Sequence, residues 1–307
     1  MPPTTSPGRR AGAAVPYAFV APAVILFLLV LAIPIAYTVY LSLFKIEVSG
    51  LGLGRGNRKE VFTGLDNYRR ALTDSELGAG ALRVLGYGAL LVPTMLLLAL
   101  VFALLLDEDR VRARGFSRIA IFLPYAIPGV IATLLWGFLY LPSTSPFVRL
   151  LNRLSLPEVD LLSPTGIYFA LANIAVWGGV GYNMIVLYTA LRSIPADLYE
   201  AARIDGCSPL QIALRIKIPL VLPALILTTM FSLVATLQVF AEPTTLAPLT
   251  NSLSRTWSPL MKVYQDAFAR GDIHSAAATS VLIAVVMFVL SFGLLHVTRS
   301  RAFGGER

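Results

Sequence analysis

The chain has 307 residues, of which 56% are hydrophobic and 14% charged, with a formal net charge of +8. A soluble domain carries about 25% charged residues, so these charges are too few to coat a globule in water. Lipid is the solvent that fits, and the basic excess suits loops facing anionic headgroups better than it suits a nucleic-acid partner.

Six segments of at least 23 residues contain no Asp, Glu, Lys or Arg: 11–44, 84–106, 119–148, 161–191, 218–241 and 273–298. A helix needs roughly 20 residues to cross about 30 Å of hydrocarbon. A barrel strand would need alternating apolar and polar residues, and residues 85–106 show no alternation. Inside lipid each backbone amide must bond within its own segment. The pattern therefore predicts an all-α integral membrane protein. Its six transmembrane helices lie near 17–44, 84–106, 119–141, 165–190, 218–241 and 275–298, with short tails at 1–16 and 299–307.

Arg9 and Arg10 precede the first run. That run exceeds the roughly 7–15-residue apolar core of a signal peptide, so it reads as a retained anchor. Pro22 and Pro34 in the first span, Pro93 in the second, and Pro124 and Pro128 in the third predict kinks. The fourth span holds Trp177, three glycines, Tyr182 and Asn183 within seven residues. Small residues allow close helix approach, and an amide facing lipid is costly, so Asn183 should point into the bundle. In the fifth span Gln238 and Glu242 are four apart and would share a helix face. Gln238 suits either a solute path or a helix–helix hydrogen bond. No carboxylate or lysine lies mid-span, which argues against a proton relay through intramembrane acids. His274 and His296, at the last helix, have no partner motif, and the single Cys207 excludes an internal disulfide and a cysteine-based metal site.

Residues 191–217 are too polar to span and too apolar for a solvated linker. After Pro195, Leu198, Ala201 and Ala202 fall at helical spacing, predicting a short helix Ala196–Ile204. Asp197 and Glu200 suit its N-terminal end. Gly206 permits a sharp turn, and Ser208-Pro209 opens a second short helix. The segment reads as a helix–turn–helix at the membrane surface, with the small residues Ala201, Ala202 and Gly206 free to enter another protein's groove. With an even number of spans both termini share one side. The short loop with Arg110, Arg112, Arg114 and Arg118 favours placing that side, and residues 191–217 with it, in the cytoplasm.

Glu200-Ala201-Ala202, Asp205-Gly206, Ile216 and Pro219 resemble the EAA loop of permease subunits of binding-protein-dependent ATP-binding-cassette (ABC) importers, with matching gaps. Phe62-Thr63-Gly64-Leu65-Asp66-Asn67-Tyr68 is similar to the F-x-G-L-x-N-Y signature of the branch importing di- and oligosaccharides, polyols and glycerol phosphates. So are Pro124 and Pro128 followed by Trp136, and Leu191, Ile194 and Pro195 ahead of the EAA loop. The resemblance covers residues 17–298. The chain departs from the family pattern at residues 246–251, where L-T-x-G-G-P is usual, at Phe240-Ala241 for F-D, at Ala213 for an aromatic residue and at Cys207 for alanine.

The resemblance implies a six-helix type I (MetI-like) importer permease with a cytoplasmic coupling helix. It implies as partners a second homologous permease, two ABC ATPase subunits and an extracytoplasmic solute-binding protein or lipoprotein. It implies roles in ATPase coupling for Glu200, Ala201, Ala202, Asp205 and Gly206, and solute-facing positions for Gly179, Tyr182, Asn183 and Gln238. The chain has no phosphate-binding G-x-x-x-x-G-K-[ST] motif. ATP and magnesium would then be used by the partner, and this chain would bind no cofactor and catalyse no reaction. The alternatives are the same machinery for a peptide, polyamine or phosphate, an ion-coupled carrier, and a membrane-embedded enzyme, for which no paired acid, histidine or metal constellation is evident.

Overall fold

A computed structural model describes residues 14–48, 58–108, 111–155, 157 and 160–302. In chain order the helices and strands are α1 (Ala14–Phe27), α2 (Ile33–Ser42), β1 (Phe44–Val48), β2 (Arg58–Phe62), α3 (Asp66–Thr73), α4 (Ser75–Asp107), α5 (Arg114–Phe122), α6 (Gly129–Tyr140), α7 (Pro146–Arg153), α8 (Gly166–Arg192), α9 (Ala196–Ile204), α10 (Pro209–Ile212), α11 (Ile218–Leu237), α12 (Ala241–Leu246), α13 (Pro259–Tyr264) and α14 (Ile273–Ala302). Wider π-helical turns, Leu28–Ala32 and Ala213–Lys217, join α1 to α2 and α10 to α11.

Five stretches are continuous, apolar and long enough to cross a bilayer: Tyr17–Ser42, Ser75–Asp107, Gly166–Arg192, Pro209–Leu237 and Ile273–Gly293. The sixth is broken. The segments Arg114–Ala126 and Gly129–Tyr140 meet at 95°, so the expected span 119–141 is two half-helices rather than one kinked rod. The cause is local. Ile127 and Pro128 are extended, because a proline pushes the residue before it out of the helical region.

The chain divides into two compact units, residues 1–73 with 266–282, and residues 74–265 with 283–307. In the first, β1 and β2 form an antiparallel hairpin pairing Phe44 with Phe62 and Ile46 with Glu60. This hairpin is the one sheet among the described residues of a chain that is otherwise helical, as expected. The motif residues that follow it hold its base. Asn67 is buried and its side-chain amide donates to the carbonyls of Ser42 and Phe44, both at 2.7 Å. The Tyr68 hydroxyl lies 2.5 Å from Ser42 Oγ. His274, without a partner motif in the sequence, sits 3.0 Å from the Leu41 carbonyl and 3.7 Å from Glu60.

The second unit holds the main core. Val84, Tyr87, Leu91, Met95, Ala99, Ala103 and Leu106 follow one another at intervals of three or four and form one buried face of α4. They pack on Ile167, Leu171, Ile174, Met184, Leu187 and Leu191 of α8. Ala99, Ala103 and Ala170 are fully buried there, small residues that let the two backbones approach. The opposite face of α4 exposes Leu85, Leu97 and Leu105. An apolar exposed face beside an apolar core is the pattern lipid demands, and it is why the sequence shows no amphipathic stripe here.

Candidate functional site

The segment between α8 and α11 folds as the sequence predicts. Pro195 lies just before the first residue of α9, and Gly206 ends it with a φ of +80°, the left-handed region. The Cys207 amide donates back to the Ala202 carbonyl at 3.0 Å, closing the helix C-terminus as in a Schellman turn. Ser208 then caps α10. Its Oγ accepts from the Gln211 amide while the Gln211 side chain accepts from the Ser208 amide at 2.8 Å, a reciprocal capping box.

α9 has two faces. Ala202 is buried against the rest of the chain, whereas Glu200, Ala201, Asp205 and Gly206 are exposed. The apolar stripe expected from Leu198, Ala201 and Ala202 is therefore split: Ala202 packs inward, and Leu198 and Ala201 point out. Ile204, 86% exposed, and Leu210 extend the outward apolar surface.

Beneath the inward face lies an ionic cluster that the sequence reading did not identify. Lys217, almost fully buried, places Nζ 2.8 Å from Asp107 Oδ2 and 3.0 Å from Glu108 Oε1. Its ammonium also lies 5.2 Å from the ring centre of Tyr199, in the range of a cation–π contact. Arg192 approaches Asp107 at 3.9 Å. These groups line a cavity of about 500 Å³ and bring together the end of α4, the end of α8, the middle of α9 and the start of α11. Burial raises the Tyr199 phenol pKa above its ordinary value; the Asp107 charge adds to the rise and Lys217 opposes it. The signal available in the sequence was modest: one lysine and two acids at the margins of spans that topology puts on the same side.

A second cavity of about 640 Å³ lies between α4, the broken third span, α8 and the end of α11. Gly179, Tyr182, Asn183 and Gln238 all line it. Tyr182 stacks on Tyr125, with ring centres 5.1 Å apart and planes at 18°. Tyr125 sits in the 3-10 turn between Pro124 and Pro128, so the proline pair that breaks the span also delivers a ring to the cavity. Asn183 is buried, as expected, and its Nδ2 donates to the Gly179 carbonyl at 3.1 Å, which leaves its Oδ1 for another partner. A Cβ on Gly179 would meet Met95 Cε at 2.8 Å, so that glycine also serves packing.

Gln238 and Glu242 do not share a helix face. α11 stops at Leu237, Phe240 has a non-helical φ of −146°, and α12 begins at Ala241. Both residues nevertheless line the cavity, through the turn rather than through helical spacing. That turn is fixed by Ser258, whose hydroxyl donates to the Val239 carbonyl at 2.9 Å.

The chain is similar to the sn-glycerol-3-phosphate transport system permease protein UgpA of Escherichia coli O6:K15:H31 (strain 536 / UPEC), 28% identical over 280 residues, which cover 90% of this chain and 91% of the relative. The UgpA protein of Salmonella choleraesuis (strain SC-B67) is 27% identical over the same length. Among solved structures, a chain of a bacterial alginate ABC transporter, crystallised with its alginate pentasaccharide-bound periplasmic protein, superposes with a TM-score of 0.80 at 22% identity, covering 94% of this chain and 95% of that one. A chain of the MetNI methionine ABC transporter superposes with a TM-score of 0.53 at 16% identity, covering 73% of this chain and 95% of that one. Those two likenesses establish the fold. Residues 79–301 match the family described as Binding-protein-dependent transport system inner membrane component, and the protein belongs to that family.

Proposed function

We propose that this chain is one of two membrane-spanning permease subunits of an ATP-driven importer for a sugar or sugar-like solute. An extracytoplasmic binding protein delivers the solute, and a separate ATPase supplies the energy. Both termini and α9 lie in the cytoplasm. The chain itself catalyses nothing: it moves solute by changing shape, and ATP and magnesium belong to the partner.

The observation that carries this reading is the two-faced short helix α9. Its outward side offers Glu200, Ala201, Asp205 and Gly206 to a partner. Its inward side is tied, through Ala202 and Tyr199, to three spans meeting at the Lys217–Asp107 pair. A push on such a helix reaches the spans directly. The names of the relatives, a glycerol-phosphate permease and an alginate transporter, support the sugar-like class. The second cavity, with stacked tyrosine rings, an amide oxygen and a carboxylate, has the chemistry to hold a polyhydroxylated solute.

Gly206→Leu tests the coupling role. Nothing lies within 4 Å of a Cβ at this position, so the cost is backbone strain of about 1–2 kcal/mol, which the packed core of α4 and α8 can absorb. The complex of this chain with its partner permease, ATPase and binding protein is expected to assemble. Solute-stimulated ATP hydrolysis is expected to fall at least tenfold. Unchanged stimulation refutes the assignment.

A further inference from the structure

We infer that, within the sugar-like class proposed above, the solute passing this chain is uncharged, a neutral sugar or polyol, and that Glu242 enforces this choice. Of the described residues lining the 640 Å³ cavity, Glu242 carries the only acidic side chain, and none is Lys, Arg or His. Glu242 has no hydrogen-bond or ion-pair partner among the described residues, so its charge is left for whatever enters.

A phosphate or uronate wants the opposite arrangement. Anions are recognised by guanidinium, ammonium or convergent backbone amides, and a carboxylate beside them repels. That repulsion is strongest where water is scarce, as it is between transmembrane helices. A neutral sugar fits every group present. Its hydroxyls donate to Glu242 and to Asn183 Oδ1, its ring oxygens accept from Gln238, and its C–H face lies on the Tyr125–Tyr182 pair. The solutes named for the relatives, glycerol phosphate and the acidic polysaccharide alginate, are both anionic. This cavity offers such an anion no cationic side chain among its described lining residues.

The test uses the complete transporter, with its binding protein, in proteoliposomes loaded with ATP. Uptake is measured for radiolabelled maltose, trehalose and sorbitol, for sn-glycerol 3-phosphate and a tri-uronate, and for spermidine, a dipeptide and phosphate. The wild type is expected to accumulate at least one neutral probe tenfold or more above both anionic sugars. Glu242→Gln is expected to raise the KM for that probe about tenfold through loss of a charged acceptor, while Glu242→Asp restores part of the affinity. Accumulation of either anionic sugar at the level of the best neutral probe, or Glu242→Gln uptake equal to wild type, overturns this inference and leaves the sugar-like reading standing. Accumulation of spermidine, dipeptide or phosphate with none of the sugar-like probes overturns both. Failure to accumulate any neutral probe also overturns the inference. Should Glu242→Gln not assemble, the wild-type panel decides alone.

Discussion

Lys217 is the residue on which the junction of α4, α8, α9 and α11 turns. It is buried with Asp107 at 2.8 Å, so removing Lys217 leaves the Asp107 carboxylate with only the more distant Arg192, at 3.9 Å, to offset its charge. Breaking such a pair costs about 3–5 kcal/mol, whereas replacing both partners by apolar groups is often neutral. Lys217→Met is thus expected to lower the unfolding midpoint in detergent sharply, and Lys217→Met combined with Asp107→Leu to recover most of the loss. If the pair transmits force, the double variant regains stability without regaining solute-stimulated ATP hydrolysis, which calorimetry and a hydrolysis assay on the same preparation would separate. Tyr199 makes the complementary case. Its hydroxyl is buried with no hydrogen-bond partner among the described residues, an arrangement that costs about 1–3 kcal/mol. Tyr199→Phe is expected to be neutral or stabilising by up to about 1 kcal/mol, since the ring keeps its contact with the Lys217 ammonium.

At the level of elements, the crossing of α5 and α8 depends on Gly181. A Cβ there would collide with the Ile121 carbonyl oxygen and come within 2.6 Å of Phe122 Cα. These are backbone atoms that cannot rotate away. Gly181→Ala is expected to destabilise the bundle by about 1–3 kcal/mol, measurable as a lowered thermal midpoint. The start of α4 carries a pH dependence. Burial raises the Asp74 carboxyl pKa, but the Lys262 ammonium at 3.0 Å and the amides of Leu77 and Glu76 outweigh burial and hold it below the usual 3.8. A depressed carboxylate adds stability that is complete above its unfolded value and is lost as pH falls through the folded one. The contribution of this cap is therefore expected to be constant at neutral pH and to fade below about pH 4. Asp74→Asn, which keeps the cap but not the charge, should flatten the profile.

Elements also show what the sequence could and could not reveal. α9 was legible to the residue because Pro195, the i, i+3, i+4 spacing and Gly206 are all local signals. The capping box at Ser208 is likewise a neighbour effect. The hairpin was not legible: Arg58–Phe62 is mostly charged, and its pairing with Phe44–Val48 joins residues too far apart in sequence for local signals to report. The end of α11 was missed because residues 238–241 remain uncharged, so hydropathy ran on where the backbone turned at the anchor from Ser258. The prolines of the third span predicted a kink, but the chain turns by 95° because Ile127 and Pro128 both leave the helical region and split the span in two. The cavity-lining residues Gly179, Tyr182, Asn183 and Gln238 were each visible as polar or small groups in apolar runs. Tyr125, which completes the ring pair, was hidden between two prolines that read only as helix breakers.

The whole molecule is defined by the solvent it requires. Along Tyr17–Ser42 the large side chains stand open, with Phe19 82% and Leu26 61% exposed. No aqueous protein presents such a continuous apolar surface. Orientation is open to a direct check, because the chain has one cysteine and it lies in the turn after α9. Cys207 is partly exposed. A membrane-impermeant maleimide is expected to label it in inside-out vesicles and not in intact spheroplasts. Labelling of spheroplasts would put α9 on the wrong side for an ATPase.

The sharp corner in the third span has a further consequence. A rod that crosses lipid hides its peptide groups in its own ladder, whereas a corner within a span releases several of them. In hydrocarbon such groups are intolerable unless protein or water meets them. Pro124, Tyr125, Ile127 and Gly129 flank this corner and line the larger cavity. The protein meets several of these groups itself: the Pro124 carbonyl accepts from the Ile127 amide, the Pro128 carbonyl from the Ala132 amide and the Gly129 carbonyl from the Thr133 hydroxyl. The corner can therefore bend sharply beside the cavity without exposing those carbonyls to hydrocarbon.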